Sequence, residues 1–119
     1  MIRKLLVFLF LISSFLTVKG ADEPSYPGGK EALDKFISSQ LQYPETAKEN
    51  GVEGIVLVGF IVMNDGHLRD IKIIKFVDPD LEEEAMRIVG IMPPWIPAEK
   101  EGAPVEAPSK VEIPFILED

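Results

Sequence analysis

The sequence contains no cysteine. That excludes disulfides, thiolate zinc sites and a lipid anchor on a cysteine. A domain without such staples holds together by burial alone. Histidine occurs once, as His67, directly after a turn signal. An imidazole in that position is ordinarily solvated and is neither a general base nor a ligand. No serine sits in a nucleophile-elbow motif, and no glycine-rich phosphate loop is present. Gly28-Gly29 precedes a helix but reads as a plain turn. Glu82-Glu83-Glu84 lacks the loop spacing of a calcium site and reads as a solvated helix start. No catalytic residue, metal or cofactor is expected, and the chain does not read as an enzyme. Long apolar runs are also missing. Leu5 to Leu16, interrupted by Ser13 and Ser14, is shorter than the roughly 20 residues of a membrane-spanning helix.

That short run has another use. Met1-Ile2-Arg3-Lys4 is a positive start, and Val18-Lys19-Gly20-Ala21 places small residues where a signal peptidase cuts. Residues 1–20 therefore read as a secretory signal, leaving a mature chain that begins at Ala21 and no membrane attachment after cleavage; left uncleaved, the same segment would anchor the chain in the inner membrane. Cleavage removes Arg3, Lys4 and Lys19 and takes the formal charge from −8 to −11. A chain so acidic repels nucleic acid and anionic membrane.

Residues 21–29, with Pro24, Pro27 and Gly28-Gly29, read as a linker and turn. Residues 30–119 form one domain. Leu33, Phe36, Ile37 and Leu41 recur at helical spacing, which predicts a helix over roughly 30–41, stopped by Pro44. Pro44 opens a short second helix that ends at Asn50-Gly51. Two strands follow, Gly54–Met63 and His67–Val77, joined by the hairpin signal Asn64-Asp65-Gly66. Broken alternation between Leu68 and Ile71 predicts a bulge. Asp78-Pro79 caps a third helix with a buried stripe of Leu81, Ala85, Ile88, Val89 and Met92, and with Glu83 one turn before Arg87. Pro93-Pro94-Trp95-Ile96-Pro97 then sends the chain out extended, with Trp95 read as a core plug. A loop through Gly102 and Pro104 leads to a last strand, Val111–Leu117. Tyr26 and Tyr43, each before a proline, read as packing residues.

The first strand is apolar on both faces. Val56, Val58, Phe60 and Val62 form one, and Ile55, Leu57, Ile61 and Met63 the other. It belongs in the centre, with the charged second strand and the proline-bearing last strand as edges. The fold class is α+β: a three-stranded antiparallel sheet with helices packed on one face. Two surfaces are then left for partners. The outer face (Ile55, Leu57, Ile61, Met63) is an apolar patch suited to self-association as a homodimer or to a place in an envelope complex. The last strand (Val111, Glu112, Ile113, Phe115, Ile116, Leu117) is an edge open to strand addition.

The order and spacing of several motifs resemble one family. Tyr26-Pro27-Gly28-Gly29 stands before an amphipathic helix, and Tyr43-Pro44 precedes Ala47-Lys48-Glu49-Asn50-Gly51. Gly54-x-Val56-x-Val58-x-Phe60-x-Val62, Asp65-Gly66 and Met92-Pro93-x-Trp95-x-Pro97 follow. Together they are similar to the TonB C-terminal domain, here in a short stand-alone form, over nearly the whole mature chain. The resemblance implies a periplasmic domain that grips an extended segment of a TonB-dependent outer-membrane receptor, or another envelope protein, by β-augmentation along its final strand. The full-length family's long proline-rich spacer has no counterpart in this sequence. Pro108 and Pro114 remove ladder donors from the last strand or its approach.

Overall fold

The computed structural model describes residues 22–118. The expected signal and its cleavage point lie outside them. Helix α1 spans Gly29–Gln40 and helix α2 spans Glu45–Glu49, with Pro44 at its cap. Strand β1 (Gly54–Val62) and strand β2 (Leu68–Lys75) form the hairpin. Helix α3 (Pro79–Gly90) begins at Asp78, whose carboxylate accepts the Asp80 and Leu81 N–H groups at 3.0 and 3.2 Å. Strands β3 (Ala98–Lys100) and β4 (Ala103–Val105) follow, then β5 (Ala107–Phe115). The main sheet runs β2-β1-β5, antiparallel throughout, with β1 in the centre as its two apolar faces require.

The helices cover one face. Val56, Val58, Phe60 and Val62 of β1 are buried there with Val111, Ile113 and Phe115 of β5 and Leu81, Ala85, Ile88 and Val89 of α3. Each such side chain contributes roughly 1.5–3 kcal/mol when fully buried. The expected bulge in β2 is present. Asp70 takes φ 53°, and the register shifts opposite Gly59 to Ile61.

The loop expected through Gly102 is instead the β3–β4 hairpin. Glu101 and Gly102 take φ of 53° and 81°, the pair of positive values that a two-residue turn demands. Strands of three residues with no apolar alternation left no periodicity to read. Strand β5 starts four residues before the expected Val111 and ends at Phe115, so Ile116 and Leu117 lie beyond it.

Three of the recognised motifs meet at Trp95, which is 5% exposed. Its ring stands edge-on to Tyr26 at 5.8 Å and to Phe60 at 5.1 Å. Ser25 and Ile96 exchange backbone bonds of 2.9 and 2.8 Å, which ties the chain before α1 to the segment after α3. The Trp95 backbone N–H donates to the Gly66 carbonyl at 2.8 Å. Gly66 is buried with φ 93°, and a Cβ there would overlap the Trp95 carbonyl.

The acidic run of α3 is less solvated than the sequence suggests. Glu82 and Glu84 are buried and only Glu83 is exposed. Glu82 accepts the Val77 N–H at 2.7 Å. Glu84, not Glu83, pairs with Arg87, at 2.7 Å, and also accepts the Gln42 N–H at 2.7 Å. Arg87 in turn donates to the Gln40 carbonyl at 2.8 Å. One ion pair thus closes the end of α1 onto α3. Burial pushes the Glu84 carboxyl up, but the bonds from Arg87 and Gln42 outweigh it and hold the carboxyl below its ordinary value.

Gly66→Ala should cost at least about 1–3 kcal/mol from backbone strain alone, read by urea unfolding. Gly90→Ala, in a helix with open space around the added methyl, should be neutral or stabilising by about 0.5–1 kcal/mol. Glu84→Gln should lose about 1–3 kcal/mol at neutral pH. A depressed carboxyl stabilises the fold above its unfolded value of about 4.3, and that contribution disappears as pH falls through the folded value. The gap between wild type and Glu84→Gln should therefore be constant near neutrality and close in acid; a gap unchanged by acid would refute the assignment.

Candidate functional site: the free edge of the last strand

In an antiparallel ladder, the backbone of alternate residues points to the neighbouring strand and that of the others points away. The β1–β5 ladder runs without a break from Gly54–Phe115 to Val62–Ala107. A proline inside such a ladder occupies a position whose missing N–H would have pointed outward. Pro108 and Pro114 share one parity, so Lys110 and Glu112 between them also turn their N–H groups to the free edge. The opposite parity points inward. Leu117, just past the strand, keeps that sense and donates its N–H back to the Glu53 carboxylate at 2.6 Å.

This separates the six edge residues expected from the sequence. Val111, Ile113 and Phe115 bury their side chains in the core and direct their backbone at β1. Ile116 and Leu117 are outside the strand. Only Glu112 has both the side chain and the backbone exposed to a partner. Reading the edge from sequence missed Lys110. The signal was there: two prolines six residues apart, hence of equal parity, mark which intervening residues face outward.

Beside this edge lies a depression of about 570 Å³. Leu33 of α1, above the buried Ile37, forms one wall; Lys110, Val111, Glu112 and Pro114 of β5 form another, and Ile55 and Leu57 of β1 also line it. Lys30 and Asp34 pair at 2.9 Å on its rim. Half-buried Leu33 thus leaves apolar surface next to unpaired backbone. No sequence pattern shows that, because it depends on how far α1 overhangs β5.

The outer face of the sheet is the second candidate. Ile55 is 44% exposed, while Leu57, Ile61 and Met63 are half-buried. Met63 lies in the hairpin turn, where its N–H and carbonyl bond to His67 and Gly66. Ile74 of β2 lies across the centre of this face, within 2.5 Å of where a Gly59 Cβ would stand. Lys72 and Lys110 flank Gly59 in register, and Arg69 stands opposite Ile61 and pairs with Glu106 at 2.5 Å. The exposed apolar strip is therefore edged by charges of both signs, with Glu112 opposite Leu57.

His67 is exposed at the turn, and its backbone and ring both bond to the Asp65 carboxylate at 3.0 Å. The backbone bond, more than the ring, holds the Asp65 carboxyl below its ordinary value. Among the described residues no three His, Asp or Glu side chains converge as a metal site. No helix among them is long and apolar enough to cross a membrane.

Comparison with known proteins agrees with this fold. The family described as Gram-negative bacterial TonB protein C-terminal matches residues 39–117. Proteins named TonB from two strains of Helicobacter pylori are 43% and 40% identical over 53 residues, which is 44% of this chain. The match spans 19% of the length of those relatives. Two solution structures of the Helicobacter pylori TonB C-terminal domain superpose with TM-scores of 0.55 and 0.54 at 27% and 28% identity. They cover 72% and 75% of this chain, and 78% and 94% of their own. The chain belongs to the TonB C-terminal family, whose members are protein-interaction modules of the cell envelope and not enzymes.

Proposed function

We propose that the chain is a periplasmic binding module, engaging an extended segment of a TonB-dependent outer-membrane receptor along the free edge of β5. The observation that carries this is the coincidence of outward backbone groups at Lys110 and Glu112 with the apolar depression against α1. Backbone pairing supplies affinity, and alternate side chains of the partner are sorted by the surfaces on either side of the edge. The module's part in TonB-dependent transport is to hold that segment.

The substitution that tests this must remove an outward donor and spare the inner ladder. Ile113→Pro, the obvious choice in the middle of the strand, is the wrong one. Ile113 is fully buried and its N–H faces β1, so proline there should cost about 3 kcal/mol or more and unfold the sheet. Glu112→Pro removes an N–H that faces solvent. It should leave the melting temperature nearly unchanged and weaken binding of a peptide copied from a receptor's N-terminal segment by roughly tenfold. Calorimetric titration reads the affinity; equal affinity for wild type and Glu112→Pro would sink the proposal.

The alternative is self-association, or a structural place in an envelope complex, through the outer face. The exposure of Ile55 and of Ile74, at 44% and 51%, favours it. A two-fold pairing of these faces would also take the charged Lys72, Lys110 and Glu112 side chains at its margins toward the interface, and desolvating them opposes it. If this face forms a homodimer, Leu57→Lys should convert it to a folded monomer in sedimentation runs. A wild-type chain that stays monomeric at high concentration removes the homodimer reading.

A further inference from the structure

The two prolines stand at positions of the same parity on the β5 edge, Pro114 lining the depression and Pro108 beyond it. A proline at an inward position would have broken the β1–β5 ladder, and that ladder is intact. Both prolines therefore subtract donors from the partner's side only. Four outward positions, 108, 110, 112 and 114, present carbonyl groups, but only Lys110 and Glu112 also present an N–H. At a rise of roughly 3.3 Å per residue, the prolines are about 20 Å apart with the two donors in the middle.

We propose that Pro108 and Pro114 are register stops. They restrict this edge to a short extended segment that pairs with Lys110 and Glu112 and seats an apolar side chain against Leu33. This rests on the strand-addition reading above. A partner slipped by two residues along the edge sets one of its carbonyls opposite a proline and forfeits a hydrogen bond. One slipped by a single residue turns its apolar side chain away from Leu33 and toward the Ile55 and Leu57 side of the sheet. The depression lies against Val111, Glu112 and Pro114, so the donor window and the side-chain seat select the same register. Charge takes little part in the choice. Lys30 is paired with Asp34 on the rim, and Lys110 and Glu112 stand two residues apart with opposite signs.

The probes are capped nonapeptides that alternate threonine with a single apolar residue, one peptide each for valine, leucine and phenylalanine. Their binding to the isotope-labelled protein is followed by amide hydrogen exchange and by NMR titration. In the wild type, at least one probe should slow exchange at Lys110 and Glu112. In the Pro108→Val/Pro114→Val variant, protection should extend to positions 108 and 114, and affinity should rise several-fold, the effect of two added bonds. A variant with unchanged affinity and an unchanged window overturns the register stops while strand addition stands. A variant that gains only concentration-dependent self-association overturns them too, because the prolines would then serve solely as guards against edge pairing. If no probe protects Lys110 or Glu112, both the stops and the strand-addition reading fall. The variant's melting temperature, expected to match wild type, verifies that the comparison is between folded proteins.

Discussion

The docking of Trp95 onto the β1–β2 turn is the constraint on which the rest of this structure depends. Helix α3 ends on the helical face of the sheet, and β5 must begin on the far side of β1 from β2. The Trp95 backbone on Gly66 and the Trp95 ring between Tyr26 and Phe60 determine where the chain turns to make that crossing. They also hold the chain that leads into α1. Motifs scattered over the sequence are therefore parts of one contact: the tyrosine before the glycine pair, the Asp-Gly turn and the tryptophan among prolines. The Asp-Gly turn in particular does more than reverse the chain. Glycine is required at position 66 because another backbone arrives there.

Much of this was legible beforehand. Apolar residues on both faces of β1 dictated a central strand, and the charges of β2 and prolines of β5 dictated edges. Asp78-Pro79 marked the start of α3 to the residue. The β3–β4 hairpin was not legible, since strands of three residues carry no periodicity and its Glu-Gly turn was the sole cue. The limits of β5 were misplaced because Ala107, Pro108, Ser109 and Lys110 have low strand propensity. They pair anyway because a well-defined central strand offers them a ladder. At the site, the edge could be assigned to the last strand, but which residues face outward needed the register. The wall supplied by α1 needed the packing of a helix that the sequence places only along its own axis.

The acidic composition also takes on a different meaning in three dimensions. Read along the chain, Glu82, Glu83 and Glu84 are a solvated run. Folded, Glu82 satisfies a backbone donor ahead of α3, and Glu84 with Arg87 closes the end of α1. The Glu84 tie is long-range, made by charged groups in a domain that has no covalent cross-link. The Glu84 carboxyl is held below its ordinary value, so this tie weakens in acid, whereas the packing of the Val56–Ile113 core does not.

The Ser25–Ile96 pair has a mechanical consequence. Tension applied to the chain ahead of Ser25 need not travel through α1, α2, the hairpin and α3 to reach β5. It can cross two backbone hydrogen bonds to Ile96 and continue along the ten residues between Ile96 and Ala107 into β5. The helices and the β1–β2 hairpin lie off this load path. A pull on one end of the domain would thereby reach β5 with little demand on the core, for as long as those two bonds hold.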